Sequence, residues 1–322
     1  MSRLYTEVRG SGPALVLLHG WGLNLRIWDG LAAALDDRFR IIAIDLPGHG
    51  RSAWLPERSS LEEQAAQVRD TVADLASEYS VLGWSLGGQI ALQLAAGDAQ
   101  SAARAAQAVG AGQSAARAGH TPAAAALRRL VLVAATPRFV AAPDWPHGAP
   151  AERLAAQAGG LRSDYRRTVS DFLELQVRGS ADGGEALEQL RAALFQHGSA
   201  AGAPRPSHTG ASDPSPATTR DSDSPKSADG VSELWGLNIA ALVRGLELLR
   251  DSDLRPLLAH ITVPTLVIAG QYDRVIHPAA SHALADALPN AHYVEIRRAA
   301  HAPFLSHLPE LSALISDFLL QP

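Results

Sequence analysis

Residues 81–94 read VLGWSLGGQIALQL, with Ser85 between Gly83 and Gly87, an apolar run ahead of the serine and a helix-like run behind it. The G-x-S-x-G spacing suits a sharp strand-to-helix turn. The apex residue takes a strained conformation, glycines two places to either side relieve the crowding, and the hydroxyl projects above the sheet. The five residues alone do not separate a reactive serine from a small residue in an ordinary turn. A reactive serine needs a base, a carboxylate to orient that base, and N–H donors for an oxyanion, all from elsewhere in the chain.

Working outward from this stretch, short strand-like runs recur: LYTEV, ALVLLH, RIIAID, SVLGW, RLVLVA, VPTLVIAG and AHYVEI. Several are continuously apolar rather than alternating, as in strands buried on both faces of a mostly parallel sheet. Helical patterns separate them at 25–36, 61–78 (opened by the capping-box-like SSLEE), 86–96, 278–288 and 309–320. Strands alternating with helices predict a doubly wound α/β fold. The alternation stops between about 137 and 255, where DYRRTVSDFLELQVRG, GGEALEQLRAALFQ and GLNIAALVRGLELLR read as helices without an intervening strand. A helical insertion after a strand of such a sheet lies near the ligand crevice at the carboxyl ends of the strands, and predicts a lid. The expected division is therefore a core of residues 1–137 and 255–322 and a helical lid of 138–254. Two stretches interrupt it. Residues 97–129 are Ala-rich with little bulky apolar content, and residues 197–230, rich in Pro, Ser, Gly and Asp, are expected to be disordered.

Composition narrows the function classes. A chain of 322 residues with 47% hydrophobic content can bury one large core, and a net charge of -5 offers no basic footprint for nucleic acid. The absence of cysteine excludes disulfides, thiolate catalysis and zinc–cysteine sites. Charges at Arg3, Glu7 and Arg9 precede a first apolar run, ALVLLHGWGL, that is short and broken by glycine, so neither a secretory leader nor a membrane span is expected there. The expectation is a soluble, cytoplasmic protein with no membrane or nucleic-acid partner.

Of the twelve histidines, His301 in RRAAHAPFLSHLPE is best placed to serve Ser85, because it follows the last strand-like run and precedes the terminal helix; His307 is its neighbour and competitor. Asp273 in VPTLVIAGQYDRVIHP stands just beyond an apolar strand, with Asp144 beyond RLVLVA as the alternative acid. The order Ser85, Asp273, His301 is that of the α/β-hydrolase arrangement. Oxyanion donors are expected from the Leu86 amide directly after the serine and from the Trp21 amide in LLHGWG, with His19 shaping that turn. Such chemistry requires no metal and no organic cofactor.

With LLHGWG, DLPGHGRS, GWSLGG, AGQYDRVIHP and AAHAPFLSHLPE in this order, the chain resembles the α/β-hydrolase superfamily. On HGWGLN, GWSLGG, RTVSDFLELQ and AAHAPFLSH it is most similar to the biotin-pathway carboxylesterases that remove the methyl ester from pimeloyl-acyl carrier protein. The resemblance covers roughly 1–96 and 127–322. It implies Ser85 as nucleophile, Asp273 as orienting acid and His301 as base, with Trp21 and Leu86 forming the oxyanion hole. It also implies that Trp21 and the run Phe172, Leu173, Glu174, Leu175 and Gln176 border the acyl chain; the residues themselves agree in kind, since a carbon chain needs an apolar trough and Trp84, Phe172 and Leu175 are candidates to build one. Arginines on the lid would meet the acidic carrier protein, and the local patch Arg162, Arg166 and Arg167 has the required sign. The chain departs from that pattern in one respect: residues 139–200 hold six arginines against eight acids, with Asp171 and Glu188 where further basic residues are expected. Alternatives are a short-chain carboxylesterase, lactonase or carbon–carbon hydrolase acting on a carrier-free substrate, a perhydrolase, and a non-catalytic ligand-binding protein on the same fold.

Overall fold

The architecture follows from where the apolar runs are buried. Every residue of strand β2 (Ala14–Leu18) and of β6 (Thr265–Gly270) is buried, as continuous apolar runs require when helices cover both faces of a sheet. With β1 (Thr6–Arg9), β3 (Arg40–Ile44), β4 (Glu78–Trp84), β5 (Ala126–Val133) and β7 (Ala291–Ile296) they form a seven-stranded sheet in the order β1-β3-β2-β4-β5-β6-β7. Only β1 runs antiparallel, against β3; every other neighbouring pair is parallel. The computed structural model describes residues 3–110, 125–180, 182–195 and 238–321.

Helices α1 (Asp29–Leu35), α2 (Leu61–Ala73) and α3 (Leu86–Gly110) lie in the first half of the chain; α8 (Pro278–Ala287), α9 (Pro303–Ser306) and α10 (Leu308–Leu319) close the second. The SSLEE start is a true capping box: the Ser60 side chain accepts from the Glu63 amide while the Glu63 carboxylate accepts from the Ser60 amide, so two otherwise orphaned donors are satisfied. The 25–36 pattern divides into a 3-10 turn at Leu25–Trp28 and α1.

The Ala-rich stretch differs from expectation at both ends. Its first part continues α3 beyond residue 96, and Asp98 fastens it to the core by accepting from Arg69 Nε at 2.7 Å and from the Tyr79 hydroxyl at 3.2 Å. Its tail, from Ala126, is the start of β5. Residues 111–124 and the whole of 197–230 lie outside the described residues. Between β5 and β6 the chain inserts α4 (Ala151–Ser163), α5 (Tyr165–Val177), α6 (Gly183–Phe195) and α7 (Ile239–Asp251). Three of these coincide with the helical patterns read from the sequence. The fourth, α4, carries Gly159 and Gly160, which weaken its helical signal, yet Gly160 lets α5 approach, since a Cβ there would meet the Thr168 side chain. Among the described residues no helix is long and apolar enough to cross a membrane.

The register sets three loops at one level. Leu18 of β2 lies opposite Gly83 of β4, and Gly83 opposite Leu132 of β5, so the chain leaves these strands side by side. The glycines of the GWSLGG motif permit that crowding: a Cβ on Gly87 would collide with the carbonyls of Leu18 and His19, and one on Gly83 with the carbonyl of Gly87. Backbone cannot yield as a flexible side chain does. Gly87→Ala is therefore expected to cost about 3 kcal/mol of folding free energy, read from urea unfolding; an unchanged midpoint would show that the β2 loop gives way freely.

Candidate active site

Ser85 occupies the turn between β4 and α3 with φ +56°, one of three described non-glycine residues at positive φ. The other two, Ala134 and Arg298, follow β5 and β7, so backbone strain gathers at the carboxyl edge of the sheet, where functional loops concentrate it. The Ser85 amide donates to the Val133 carbonyl at 3.2 Å, while its own carbonyl accepts from Gly88 at 2.9 Å and opens α3. Leu86 is the first residue of α3, so its N–H has no partner within the helix, and the positive end of the helix lies beside the serine. The loop after β2 passes directly over this turn: a Cβ on Gly20 would stand 3.3 Å from Cβ of Ser85 and 3.0 Å from the Trp84 ring. Trp21 and Leu86, the two expected oxyanion residues, thus flank the serine.

His301 follows β7 and is held on every side. Its Nδ1 and Asp273 Oδ2 are 2.8 Å apart and fully buried. A carboxylate only accepts, so Nδ1 carries the proton and Nε2 is left as the acceptor; Nε2 is buried and has no hydrogen-bond partner among the described residues. The His301 amide donates to the Gln176 carbonyl of α5 at 3.0 Å, and its carbonyl accepts from Trp84 Nε1 at 2.8 Å. Asp273 turns its other oxygen, Oδ1, to the amides of Val275 at 2.8 Å and Ile276 at 2.9 Å. The two loops cross closely, because a Cβ on Gly270 would strike the Ala300 carbonyl. A neutral imidazole fixed in this tautomer can draw a proton from a hydroxyl and return it to a leaving group.

The competitors are placed elsewhere. His307 is bonded to the neighbouring Ser306 hydroxyl, and Asp144 is an exposed carboxylate paired with Arg255.

Beneath the β2 loop lies a buried polar cluster that the sequence displayed as DLPGHGRS without revealing its role. His19 Nδ1 donates to the Gly20 carbonyl at 2.8 Å, and its Nε2 accepts from the Leu46 amide at 3.0 Å. His49 Nδ1 donates to the Pro47 carbonyl at 3.0 Å, and its Nε2 accepts from Gly22 at 3.3 Å. Asp45 accepts from the amides of Leu25 at 2.7 Å and Arg51 at 2.8 Å. Both rings use each nitrogen for the backbone, so their work is to shape the loop.

The remaining site residues divide by environment. The Trp21 indole meets Phe172 edge-on at 4.9 Å between centroids. Trp84 is 1% exposed and packs among Trp28, Phe304 and His301, which makes it a support under the histidine loop and not a wall of a trough. Leu173 and Gln176 are buried, and both polar atoms of the Gln176 amide lack a partner among the described residues. Phe172 and Leu175 are half-buried, whereas Glu174 is exposed and pairs with Arg191 at 3.4 Å. Arg162 ends α4; Arg166 and Arg167 begin α5; all three are exposed, and Arg167 lies 3.7 Å from Asp171.

Two positioning groups carried no sequence signal. Arg153 of α4 donates to the Arg274 carbonyl at 3.1 Å beside Asp273, and Asn24 donates to the Ala193 carbonyl of α6 at 2.8 Å. A cleft of about 1020 Å³ reaches Asp273 from behind, between His147, Arg153, His282 and Tyr293, but neither Ser85 nor His301 lines it.

Residues 13–308 match the family model described as the alpha/beta hydrolase fold. The chain belongs to the α/β-hydrolase family. The hydrolase is 34% identical to the pimeloyl-[acyl-carrier protein] methyl ester esterase of Nitrosomonas europaea, over 95% of each chain. It is also 34% identical to the protein of that name from Methylococcus capsulatus, over 98% of each. Among solved structures, an esterase from Exiguobacterium antarcticum superimposes with a TM-score of 0.71 at 18% identity, covering 99% of this chain and 96% of that one, a likeness of fold.

The histidine cluster is expected to make the stability of this hydrolase fall in acid. Burial lowers His19 from the ordinary 6.5 to about 4, and burial together with the neighbouring His19 lowers His49 to about 3. Below pH 6.5 the unfolded chain therefore binds protons that the folded chain refuses. This contribution to stability is complete above pH 6.5 and shrinks as pH falls toward the folded values. Urea midpoints at pH 7, 5.5 and 4.5 are expected to fall in that order, and His49→Gln to flatten the dependence; an equally steep profile in the variant would remove His49 as a cause.

Proposed function

We propose that this α/β hydrolase is a serine carboxylesterase that hydrolyses the methyl ester of pimeloyl-acyl carrier protein in biotin synthesis. The observation that carries the reading is the buried His301–Asp273 pair, held at 2.8 Å beside a serine at φ +56° on a helix start, in a chain whose relatives bear the name of that esterase.

Ser85 Oγ attacks the ester carbonyl while Nε2 of His301 takes its proton. The amides of Trp21 and Leu86 hold the oxyanion. The imidazolium, stabilised by Asp273, gives its proton to the departing methoxide, which leaves as methanol. Water then attacks the acyl-serine, losing a proton to His301; Ser85 recovers that proton as the free acid leaves. The inserted helices act as a lid: Phe172 against Trp21, with Leu173 and Leu175 beside it, supplies the apolar lining an acyl chain needs. The Gln176 amide, whose polar atoms have no partner among the described residues, supplies polar groups for the ester or the attacking water, and Arg162, Arg166 and Arg167 face the acidic carrier. The pairing of Arg167 with Asp171 and the acidic balance of this lid favour the second reading, a carboxylesterase for carrier-free esters.

Turnover of pimeloyl-acyl carrier protein methyl ester, dimethyl pimelate and p-nitrophenyl acetate separates the two. Preference for the carrier-linked ester is expected, and equal or better turnover of the small esters would replace the first reading by the second. Ser85→Ala is expected to abolish all three reactions without loss of folding; retained turnover would remove Ser85 as nucleophile. Asp273→Asn is expected to cost on the order of 10⁴ in kcat, the scale seen when the orienting acid of such a triad is replaced, while Asp144→Asn stays within about twofold, as surface changes do. A larger loss at Asp144 would reverse the assignment.

A further inference from the structure

We infer that Gly245 of α7 is a positioning residue for the oxyanion hole: the notch left by its missing side chain seats the Trp21 indole and so fixes the loop that bears the Trp21 N–H. The inference rests on the esterase reading and adds to it a determinant in the inserted helices.

Two contacts join Trp21 to α7, the first across a sequence separation of 221 residues. The indole Nε1 donates to the Leu242 carbonyl at 2.8 Å in a buried setting. One turn on, a Cβ placed on Gly245 would stand 2.7 Å from Cδ1 and 3.1 Å from Nε1 of the same ring. Real side chains do not approach so closely, so the edge of the indole occupies the space a side chain would fill. On another side the ring meets Phe172 of α5 edge-on. Three anchors on two inserted helices thus set the orientation of one core side chain.

The notch also touches the second oxyanion residue. The same Cβ would lie 3.7 Å from Cδ2 of Leu86, so the side chains of both expected donors converge on Gly245. The residues on either side of Trp21 are held, so a push on the indole is not spread along the loop and falls on the Trp21 peptide. Gly20, just before it, is packed against Ser85 and Trp84, and Gly22, just after it, is held at φ +74° with its amide bonded to His49. A displaced indole therefore turns the peptide that carries the N–H.

Helix preference argues in the same direction. Glycine is among the poorest residues for a helix interior and alanine the best, so helix stability alone favours alanine at this position. Gly245 is buried in the midst of α7, after the buried Leu242 and before the buried Leu246, Leu248 and Leu249. The absence of a side chain there is explained by what occupies its place.

The test uses the full chain with p-nitrophenyl butyrate as substrate and three variants, Gly245→Ala, Trp21→Phe and the two combined, each checked by its melting midpoint. Gly245→Ala is expected to lower kcat by roughly tenfold to a hundredfold, the scale of a misplaced oxyanion donor, with KM moved less than about threefold. Binding of a phenylboronic acid, whose adduct on serine carries the oxyanion charge, is expected to weaken in step. Phenylalanine at position 21 is smaller and leaves room for the new methyl, so the double variant is expected to match Trp21→Phe alone and not the product of the two losses. A Gly245→Ala enzyme within about twofold of wild type, or a loss that Trp21→Phe does not relieve, overturns the inference. If Gly245→Ala does not fold, Trp21→Phe decides: it removes the bond to Leu242 but keeps the peptide N–H, and an unchanged kcat overturns the inference. A wild-type chain that turns over no ester overturns the esterase reading and this inference together, whereas an active wild type with an unmoved Gly245→Ala overturns this inference alone.

Discussion

The left-handed backbone at Ser85 exists only because three segments of main chain lie in contact around it. An L-residue at φ +56° is strained by about 1–3 kcal/mol, and the strain persists because the neighbours leave the turn no other course. Gly83 and Gly87 allow the first turn of α3 to fold back onto β4 and β2, and Gly20 lets the β2 loop cross above. With these contacts in place, the hydroxyl, the start of α3 and the Trp21 loop converge, and the His19 and His49 rings hold the loop from beneath. The rest of the molecule serves to keep that approach from relaxing.

Around this turn, buried polar groups are satisfied largely by the backbone. His19, His49 and Asp45 spend their hydrogen bonds on main-chain groups of the β2 and β3 loops. His301 is pinned through its own amide and carbonyl as well as through its ring. Main-chain partners hold a loop without the rotamer freedom of side-chain pairs, and they leave Nε2 of His301 as the acceptor of that ring. Burying neutral histidines for this purpose carries a cost in principle, because their protonation opposes the fold in acid.

The helices between β5 and β6 are part of the site and not a cover laid over a finished one. The Gln176 carbonyl fixes the His301 backbone, Phe172 and Gly245 fix the Trp21 ring, Arg153 reaches the loop of Asp273, and the Ala193 carbonyl holds Asn24. Each of these ties an inserted element to a loop at the carboxyl edge of the sheet.

The alternation of apolar strands with helices, the GWSLGG turn and the order of Ser85, Asp273 and His301 were all legible in the sequence, because each depends on spacing within a few residues or on chain order. Local patterns also gave α5, α6 and α7, since their apolar stripes recur at the helical period, but α4 was hidden by its glycine pair. Tertiary structure alone decided the rest. It placed Trp84 under the histidine loop, turned Glu174 outward to Arg191, continued α3 into the Ala-rich stretch through Asp98, and buried Asp273 against His301 while leaving Asp144 exposed beside Arg255. It also brought Gly245 to Trp21 across most of the chain. A one-dimensional pattern records which face of an element is apolar, but not which distant element will lie against that face, and in this site the distant contacts set the chemistry.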